Sequence, residues 1–186
     1  MTAALQHPIG PTTVTDWLAA DHRPYGSRLE LVWGHLYMTS PPSMGHQYAG
    51  LKLARVIDEA LCDRPDLYVV PAIGARISTA LRTALIPDIA VINIPPVGTS
   101  CAAEYLVLVV EIWSPDNNRS ERDTKAAAYA AAGVRYYWTL DADRTLTAHR
   151  LVGGQYVVDT VAKPGTETAI TAAPAPVTFD PARLRP

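Results

Sequence analysis

The sequence predicts an α/β fold in which a mixed central sheet is flanked by two helices and extended by β-hairpins. One observation behind this prediction is an aliphatic run at 107–113, which is followed by Ser114-Pro115 and then by an alanine-rich segment. Such a run is typical of a strand buried on both faces of a sheet. The other observation is the helical spacing of apolar side chains between residues 46 and 62, with charged side chains on the opposite face.

Length and composition predict one domain. The chain has 186 residues, of which 48% are hydrophobic and 18% charged, as in ordinary globular proteins. We expect an extended segment at 1–12 and the domain itself at 13–162. The stretch 163–186 is rich in Pro, Ala and Thr, and we expect it to be loosely held.

The elements are predicted from periodicity, capping residues and turn residues. Thr13 caps a short helix at 13–20, and Trp33-Gly34 turns a hairpin of 29–32 and 35–38. The further predicted elements are a helix at 46–62, strands at 68–70, 75–78, 89–92 and 107–113, a loop at 95–103, a helix at 121–132 ended by Gly133, a strand at 135–141, and a hairpin of 145–151 and 155–162 turned by Gly153-Gly154.

Charge and cysteine content restrict the function class. The net charge is −2, which argues against DNA binding by electrostatics alone but does not exclude a nuclease. Cys62 and Cys101 show no metal-binding spacing, and a reduced chain is the simpler interpretation, with one disulfide left open. The sequence shows no secretory signal pattern and no apolar stretch long enough for a bilayer, so we expect a cytoplasmic protein without a membrane partner.

Two carboxylates, Asp88 and Glu111, are candidate catalytic or metal-binding groups. Glu111 lies near the end of the predicted strand at 107–113, and a buried lone carboxylate needs a partner or a cation. Asp88 opens a neighbouring predicted strand, so both carboxylates could meet at one edge of the sheet and share Mg²⁺ or Mn²⁺. Lys125, on the following helix, could orient an attacking water or stabilise the transition state.

Each of these residues also has a simpler structural interpretation. Asp88 could cap a turn after proline, and Lys125 could form an exposed pair with Glu121, four residues earlier on the same helix. Glu111 could form a buried salt bridge with Arg76 or Arg135. The aromatic side chains in the strand-like runs are expected to be core residues: Trp113, Tyr136, Tyr137 and Trp138.

The order and spacing of these residues resemble the Uma-type putative restriction endonuclease family, within the PD-(D/E)XK nuclease superfamily. The resemblance lies in Pro87-Asp88, the run Glu111-Ile-Trp-Ser-Pro115, Lys125 with Tyr129 four residues later, and the segment 133–141. It extends from about residue 13 to residue 160, and the hairpin with Glu30 and the helix start at His46 also resemble this family.

The resemblance implies a restriction-endonuclease-like fold and a site of three residues. Asp88 and Glu111 would be the metal-binding carboxylates, with Mg²⁺ or Mn²⁺ as cofactor. The position two residues after Glu111 holds Trp113 rather than the lysine of the superfamily signature, so Lys125 would supply that lysine. Glu30 and His46 are weaker candidates near the site.

The implied function is Mg²⁺-dependent hydrolysis of DNA phosphodiester bonds, with homodimerisation suited to cutting both strands of a duplex. Two alternatives stay open. One is a non-catalytic DNA-binding or interaction protein that keeps the nuclease fold, and the other is a metal-dependent hydrolase of another phosphodiester or nucleotide. The sequence contains no G-x-S-x-G elbow, H-E-x-x-H helix, dinucleotide-binding glycine fingerprint or zinc-type Cys/His spacing.

Overall fold

The computed structural model describes residues 9–20, 28–39, 41–115 and 117–185. Residues 1–8 of the predicted extended segment lie outside this part of the chain. The helices are α1 Val14–Ala19, α2 Met44–Ala60 and α3 Arg119–Ala131. The strands are β1 Arg28–Val32, β2 His35–Thr39, β3 Tyr68–Pro71, β4 Gly74–Ser78, β5 Thr83–Leu85, β6 Ile89–Ile92, β7 Ser100–Ala102, β8 Leu106–Ile112, β9 Tyr136–Leu140, β10 Leu146–Val152, β11 Gln155–Ala162, β12 Thr168–Ile170 and β13 Val177–Phe179.

The central sheet is mixed, as predicted. Its six strands lie in the order β11-β10-β9-β8-β6-β3. The pair β8–β9 is parallel and the other neighbouring pairs are antiparallel. The helix α3 joins the two parallel strands, because a parallel pair needs a crossover that returns the chain to the same end of the sheet.

The two faces of this sheet bury different layers. On one face, alternate residues of β6, β8 and β9 pack against the apolar stripe of α2, which includes Leu53 and Ile57. The intervening residues, such as Ala90 and Val109, face α3 and the strands β4 and β5. Strands covered on both faces are continuously apolar, which explains the run that the sequence showed at 107–113.

The N-terminal hairpin forms with the predicted turn, but it belongs to a second sheet. In that sheet the strand order is β2-β1-β5-β4-β7, and Leu31 pairs with Ala84. The hairpin therefore does not extend the central sheet, whereas the C-terminal hairpin β10–β11 does. The strands β5 and β7 were not predicted, because each has only three residues and shows no periodicity.

The expectation that residues 163–186 are loosely held is wrong for the described part of this stretch. The strands β12 and β13 pair with each other, and Ile170 and Phe179 are fully buried in the same core cluster as α2. Leu184, in the 3-10 turn that follows, is also fully buried there. The composition was misleading because a few large apolar side chains are spaced among the Pro, Ala and Thr residues, and these few supply the packing.

Two further predictions concern cysteines and membranes. Cys62 is exposed and Cys101 is buried, and neither forms a disulfide, which agrees with the reduced interpretation. No described helix is long and apolar enough to cross a membrane.

The C-terminal packing is tested by Phe179→Ala. Removing a fully buried phenylalanine loses transfer free energy and leaves a cavity, so we expect the free energy of unfolding to fall by about 3–5 kcal/mol. Denaturant unfolding measures this change. The exposed neighbour provides the control Thr178→Ala, which should change stability by less than about 0.5 kcal/mol. Equal stability of the two variants would contradict a C-terminal segment packed into the core.

Candidate active site

The strand pair β6–β8 brings Asp88 and Glu111 to one end of the central sheet. Ile89 pairs with Val110 in the antiparallel register, so Asp88 and Glu111 are the next residues outward on the two strands. The Asp88 amide donates to the Val110 carbonyl at 3.1 Å, which continues the ladder to this point. The predicted meeting of the two carboxylates at a sheet edge therefore corresponds to the observed strand register.

Asp88 is held by three donors. Its Oδ2 accepts the Ile112 amide at 2.7 Å, and its Oδ1 accepts His46 Nε2 at 2.9 Å and the Arg28 guanidinium. Burial alone would raise the pKa of Asp88, but the His46 hydrogen bond, the Arg28 charge and the Ile112 amide outweigh it and hold this pKa below its usual value. Asp88 is thus maintained as a carboxylate.

The pKa of Glu111 is shifted in the opposite direction to that of Asp88. Glu111 is 2% exposed and faces α3, where Tyr129 Oη donates to its Oε1 at 2.8 Å. Burial raises the pKa of Glu111 to about 8, against the opposing charge of Lys125, and the nearby carboxylates of Asp88 and Glu30 add to the increase. Two neighbouring carboxylates therefore differ in their affinity for a proton because their surroundings differ.

The segment between β8 and α3 fixes where α3 begins. Asn117 Oδ1 accepts the Ser114 amide at 2.8 Å, and Asn117 Nδ2 donates to Glu121 Oε1 at 3.0 Å. Asn118 is the N-cap, because its Oδ1 accepts the Glu121 amide at 2.9 Å. These contacts anchor the first turn of the helix beside the end of β8, so Lys125, in the second turn, can reach Glu111.

Lys125 lies between two buried carboxylates. Its Nζ donates to Glu30 Oε1 at 2.9 Å and to Glu111 Oε2 at 3.2 Å, and its side chain is 9% exposed. Burial works to lower the pKa of Lys125, but the charges of Glu111 and Glu30 outweigh it and hold this pKa above its usual value. The lysine is therefore a buried ammonium.

This arrangement corrects two simpler structural interpretations. Lys125 is paired with Glu30 and Glu111, so the expected exposed pair between Lys125 and Glu121 is wrong. Glu111 has Lys125 as its cation instead of Arg76 or Arg135. The expectation of core aromatic residues is confirmed, since Trp113, Tyr136, Tyr137 and Trp138 are each less than 10% exposed.

Glu30 and His46, the weaker sequence candidates, both lie at this position. Glu30 is 4% exposed, and its Oε1 also accepts the Ile86 amide at 2.8 Å. His46 is in the first turn of α2 and hydrogen-bonds to Asp88. Sequence reasoning missed Arg28. The alternation of Arg28 and Glu30 in one strand could have identified it, because residues two apart in a strand face the same side.

Trp113 lies two residues after Glu111, directly after the end of β8. Its ring centroid is 6.0 Å from Lys125 Nζ and 5.2 Å from Arg122 Cζ, so two cationic side chains of α3 lie against this ring. The Trp113 amide donates to the Leu140 carbonyl at 2.8 Å, which holds the backbone at the end of β8. The cation near Glu111 therefore comes from the helix and not from the strand.

A cleft of about 450 Å³ opens over these residues. Its walls come from the hairpin β1–β2, the start of α2, the ends of the central strands and the first two turns of α3. The charged and titratable side chains that line it are Arg28, Glu30, His46, Asp88, Glu111, Glu121 and Lys125. The structure thus brings all three site residues of the sequence prediction into one cleft.

The donor chemistry of this cleft fits a hard divalent cation. Asp88 and Glu111 offer carboxylate oxygens, which Mg²⁺ and Mn²⁺ prefer. Burial raises the pKa of Glu111, and the charges of Asp88 and Glu30 add to this increase, so a cation would offset the negative charge beside Glu111. In the described part of the chain, no cluster of three or more His, Cys, Asp and Glu side chains forms a ready-made metal cage. Two protein carboxylates with water as the remaining ligand are common for Mg²⁺.

Comparison with solved structures identifies the fold. A crystal structure titled as a putative nuclease belonging to DUF820, from Anabaena variabilis, matches with a TM-score of 0.71 and 18% sequence identity. The match covers 94% of this chain and 97% of that chain. The protein therefore has a nuclease-like α/β fold, and at this identity the likeness extends to the fold alone.

The family follows from the sequence match. The family model Uma2, described as "Putative restriction endonuclease", matches residues 15–180. The chain belongs to the Uma2 family, which confirms the resemblance seen in the sequence. The match also includes most of the C-terminal stretch that was expected to lie outside the domain. No curated protein matches the chain.

The buried pairing of Lys125 is tested by Lys125→Met, which keeps an unbranched side chain of similar volume and removes its charge. Glu30 and Glu111 would lose their shared cation, so we expect a loss of about 3–5 kcal/mol in the free energy of unfolding at pH 8 or above. The loss should shrink towards pH 5, because Glu111, whose pKa is raised to about 8, is then neutral and no longer needs a cation.

Denaturant unfolding across this pH range measures the effect. The exposed Lys163 gives the control Lys163→Met, for which little change is expected at any pH. A Lys125→Met variant as stable as the control would contradict the buried ion pairs.

Proposed function

We propose that this protein is a metal-dependent endonuclease that hydrolyses phosphodiester bonds in DNA. The observation that carries the proposal is the convergence of Asp88, Glu111 and Lys125 in one cleft, with Lys125 Nζ 3.2 Å from Glu111 Oε2. Family membership supports the same class of reaction. A homodimer would suit cleavage of both strands, since each subunit would present one site.

Asp88 and Glu111 are the residues that would hold Mg²⁺ or Mn²⁺. When bound, such a cation supplies Lewis-acid polarisation of a phosphoryl oxygen and lowers the pKa of a bound water. Asp88 is suited to the role of a permanent carboxylate ligand, because Arg28, His46 and the Ile112 amide keep it ionised. Glu111 must give up its proton to bind a cation at neutral pH.

Lys125 would stabilise negative charge on the phosphoryl group and orient the attacking water. Its ammonium is fixed by Glu30 and Glu111, so it needs little reorganisation to donate a hydrogen bond to the attacking water or to a phosphoryl oxygen. Its pKa lies above the usual value, which makes it a donor and electrostatic stabiliser and excludes it as the general base at neutral pH. Glu30 is then a positioning residue for this lysine.

A second candidate function is a non-catalytic protein that retains the fold and a nucleic-acid groove. The observation in its favour is that protein groups already bind all four oxygens of the two carboxylates. Arg28, His46 and the Ile112 amide bind Asp88, while Tyr129 and Lys125 bind Glu111. If these protein contacts are the whole role of the two carboxylates, the protein should not bind a divalent cation. Metal binding therefore distinguishes the nuclease from the non-catalytic protein.

The metal site is tested by titrating Mn²⁺ into the protein calorimetrically, with Asp88→Asn and Glu111→Gln as variants. Both changes keep the shape of the side chain and remove a carboxylate charge. We expect saturable binding by the unchanged protein, at least about tenfold weaker binding by each variant, and no cleavage of DNA by either variant in Mg²⁺. Asp63→Asn, at an exposed carboxylate, is the control and should bind as the unchanged protein does.

Thermal unfolding of each variant would establish that it is folded. Absence of Mn²⁺ binding by the unchanged protein, with and without DNA, would favour the non-catalytic function. Binding and cleavage that survive both substitutions would place the metal elsewhere.

Metal binding should also depend on pH. Glu111 has a pKa of about 8 in the metal-free protein, so below this pH a cation competes with a proton. We expect the apparent Mn²⁺ affinity to fall by about tenfold for each pH unit below 8 and to level off above it. Calorimetry at several pH values between 6 and 9 measures this, with Asp63→Asn as the matched control. An affinity that is constant from pH 6 to pH 8 would contradict a protonated Glu111.

A further inference from the structure

A second cleft adjoins the first along the gap between the hairpin β1–β2 and α3. It has a volume of about 440 Å³ and lies between this hairpin and the first two turns of α3. Five residues line both clefts: Glu30, Met38, Thr39, Glu121 and Lys125. The two clefts are therefore neighbouring parts of one surface, with the Glu30–Lys125 ion pair at their boundary.

The strand β2 presents Tyr37 to this second cleft. Tyr37 is the register partner of Glu30, and directly opposed residues of an antiparallel pair lie on the same face of the sheet. Glu30 faces Lys125 of α3, so Tyr37 lies on the side of the hairpin that faces this helix. β2 is an edge strand in the described part of the chain, which leaves Tyr37 at the open side of the cleft.

Tyr37 is an exposed aromatic residue beside a buried ionic network. Its exposed fraction is 54%, and that of Met38 is 65%. Among the described residues, the Tyr37 ring has no ring–ring or ring–cation contact. Large exposed apolar groups at the mouth of a cleft are typical of ligand contacts, and an aromatic face stacks well on another planar group.

The remaining lining restricts what could bind there. The helix supplies amide and hydroxyl groups from Asn118, Ser120 and Thr124, which can donate and accept hydrogen bonds. The charged side chains are Glu30, Glu121 and Lys125, so acidic groups outnumber basic ones and a phosphate would be repelled. An uncharged, planar, hydrogen-bonding group satisfies both conditions.

We infer that the second cleft is a subsite for an unpaired nucleobase of the strand whose phosphodiester lies in the first cleft. Tyr37 provides the stacking face, and the polar side chains at the start of α3 contact the edge of the base. This inference rests on the proposed function, because it uses the continuity of the two clefts. In a duplex the faces of internal bases are stacked on one another, so the subsite selects single strands, overhangs or extruded bases.

The test measures binding of a fluorescein-labelled single-stranded DNA of about 15 nucleotides, by anisotropy in the absence of divalent cations, for three variants. Tyr37→Ala removes the stacking face and should weaken binding about tenfold. Tyr37→Phe keeps the ring and should bind as the unchanged protein does. Leu36→Ala changes the neighbouring side chain, which is 44% exposed and on the opposite face of β2, and should also have no effect.

Strands with one abasic position, scanned along the sequence, identify the base that is bound. At one position the loss should equal that of Tyr37→Ala, and the variant should show no additional loss there. A blunt duplex should bind more weakly and without dependence on Tyr37. A single-stranded RNA of the same sequence distinguishes a subsite for bases in general from one that requires deoxyribose.

The inference would be overturned if Tyr37→Ala bound the strand as tightly as the unchanged protein, or if the abasic effect were additive with this variant at every position. It would also be overturned if Tyr37→Ala changed the oligomeric state in solution, because the face would then be a contact between copies of this chain. The proposed function fails separately, if Mg²⁺ leaves the bound strand intact. Binding that depends on Tyr37 without cleavage would retain the subsite and reject the nuclease activity.

Discussion

The ammonium of Lys125 between Glu30 and Glu111 is the interaction on which the arrangement of the cleft depends. It connects three parts of the fold, because Glu30 is in the second sheet, Glu111 is in the central sheet and Lys125 is on α3. A buried carboxylate without a cation costs several kcal/mol, so the lysine stabilises the packing of these three elements. The pairing of Lys125 with Glu30 and Glu111 therefore constrains both the packing of the two sheets and the geometry of the cleft.

The same ion pairs help to explain why the pKa values of Asp88 and Glu111 shift in opposite directions. One ammonium faces two carboxylates, Glu30 and Glu111, while Asp88 has Arg28 for itself and accepts hydrogen bonds from His46 and the Ile112 amide. Glu111 is the most deeply buried of the three carboxylates, and burial raises its pKa, with the nearby charges of Asp88 and Glu30 adding to the increase. A cation in the cleft would favour the ionised form of Glu111, so metal affinity and proton affinity are linked at this residue.

Sequence predicted the parts of the fold and site that depend on local patterns. The strand with Glu111 and the two long helices follow from periodicity and capping, and the placement of Asp88 follows from the start of a buried strand. The contacts of Glu30 and Arg28 could not be derived in this way, since their partners lie 95 and 60 residues away. The three-residue strands and the packing of the C-terminal segment were not predicted for a related reason, because tertiary contacts determine whether such short segments form strands or pack into the core.

The apolar side chain of Trp113, two residues after Glu111, is compatible with this site because Lys125 on α3 already supplies the cation beside Glu111. Glu111 lies near the end of β8 and Trp113 directly follows this strand, and both side chains face α3, where Glu111 contacts Tyr129 and Trp113 packs in the same cluster as Tyr129. Only one ammonium can lie between Glu30 and Glu111, because a second buried cation in that space would be repelled by the first. With Lys125 in place, the side chain at 113 is free to be apolar. The Trp113 ring fills that volume and packs against Lys125 and Arg122, which stabilises the helix that carries the charge.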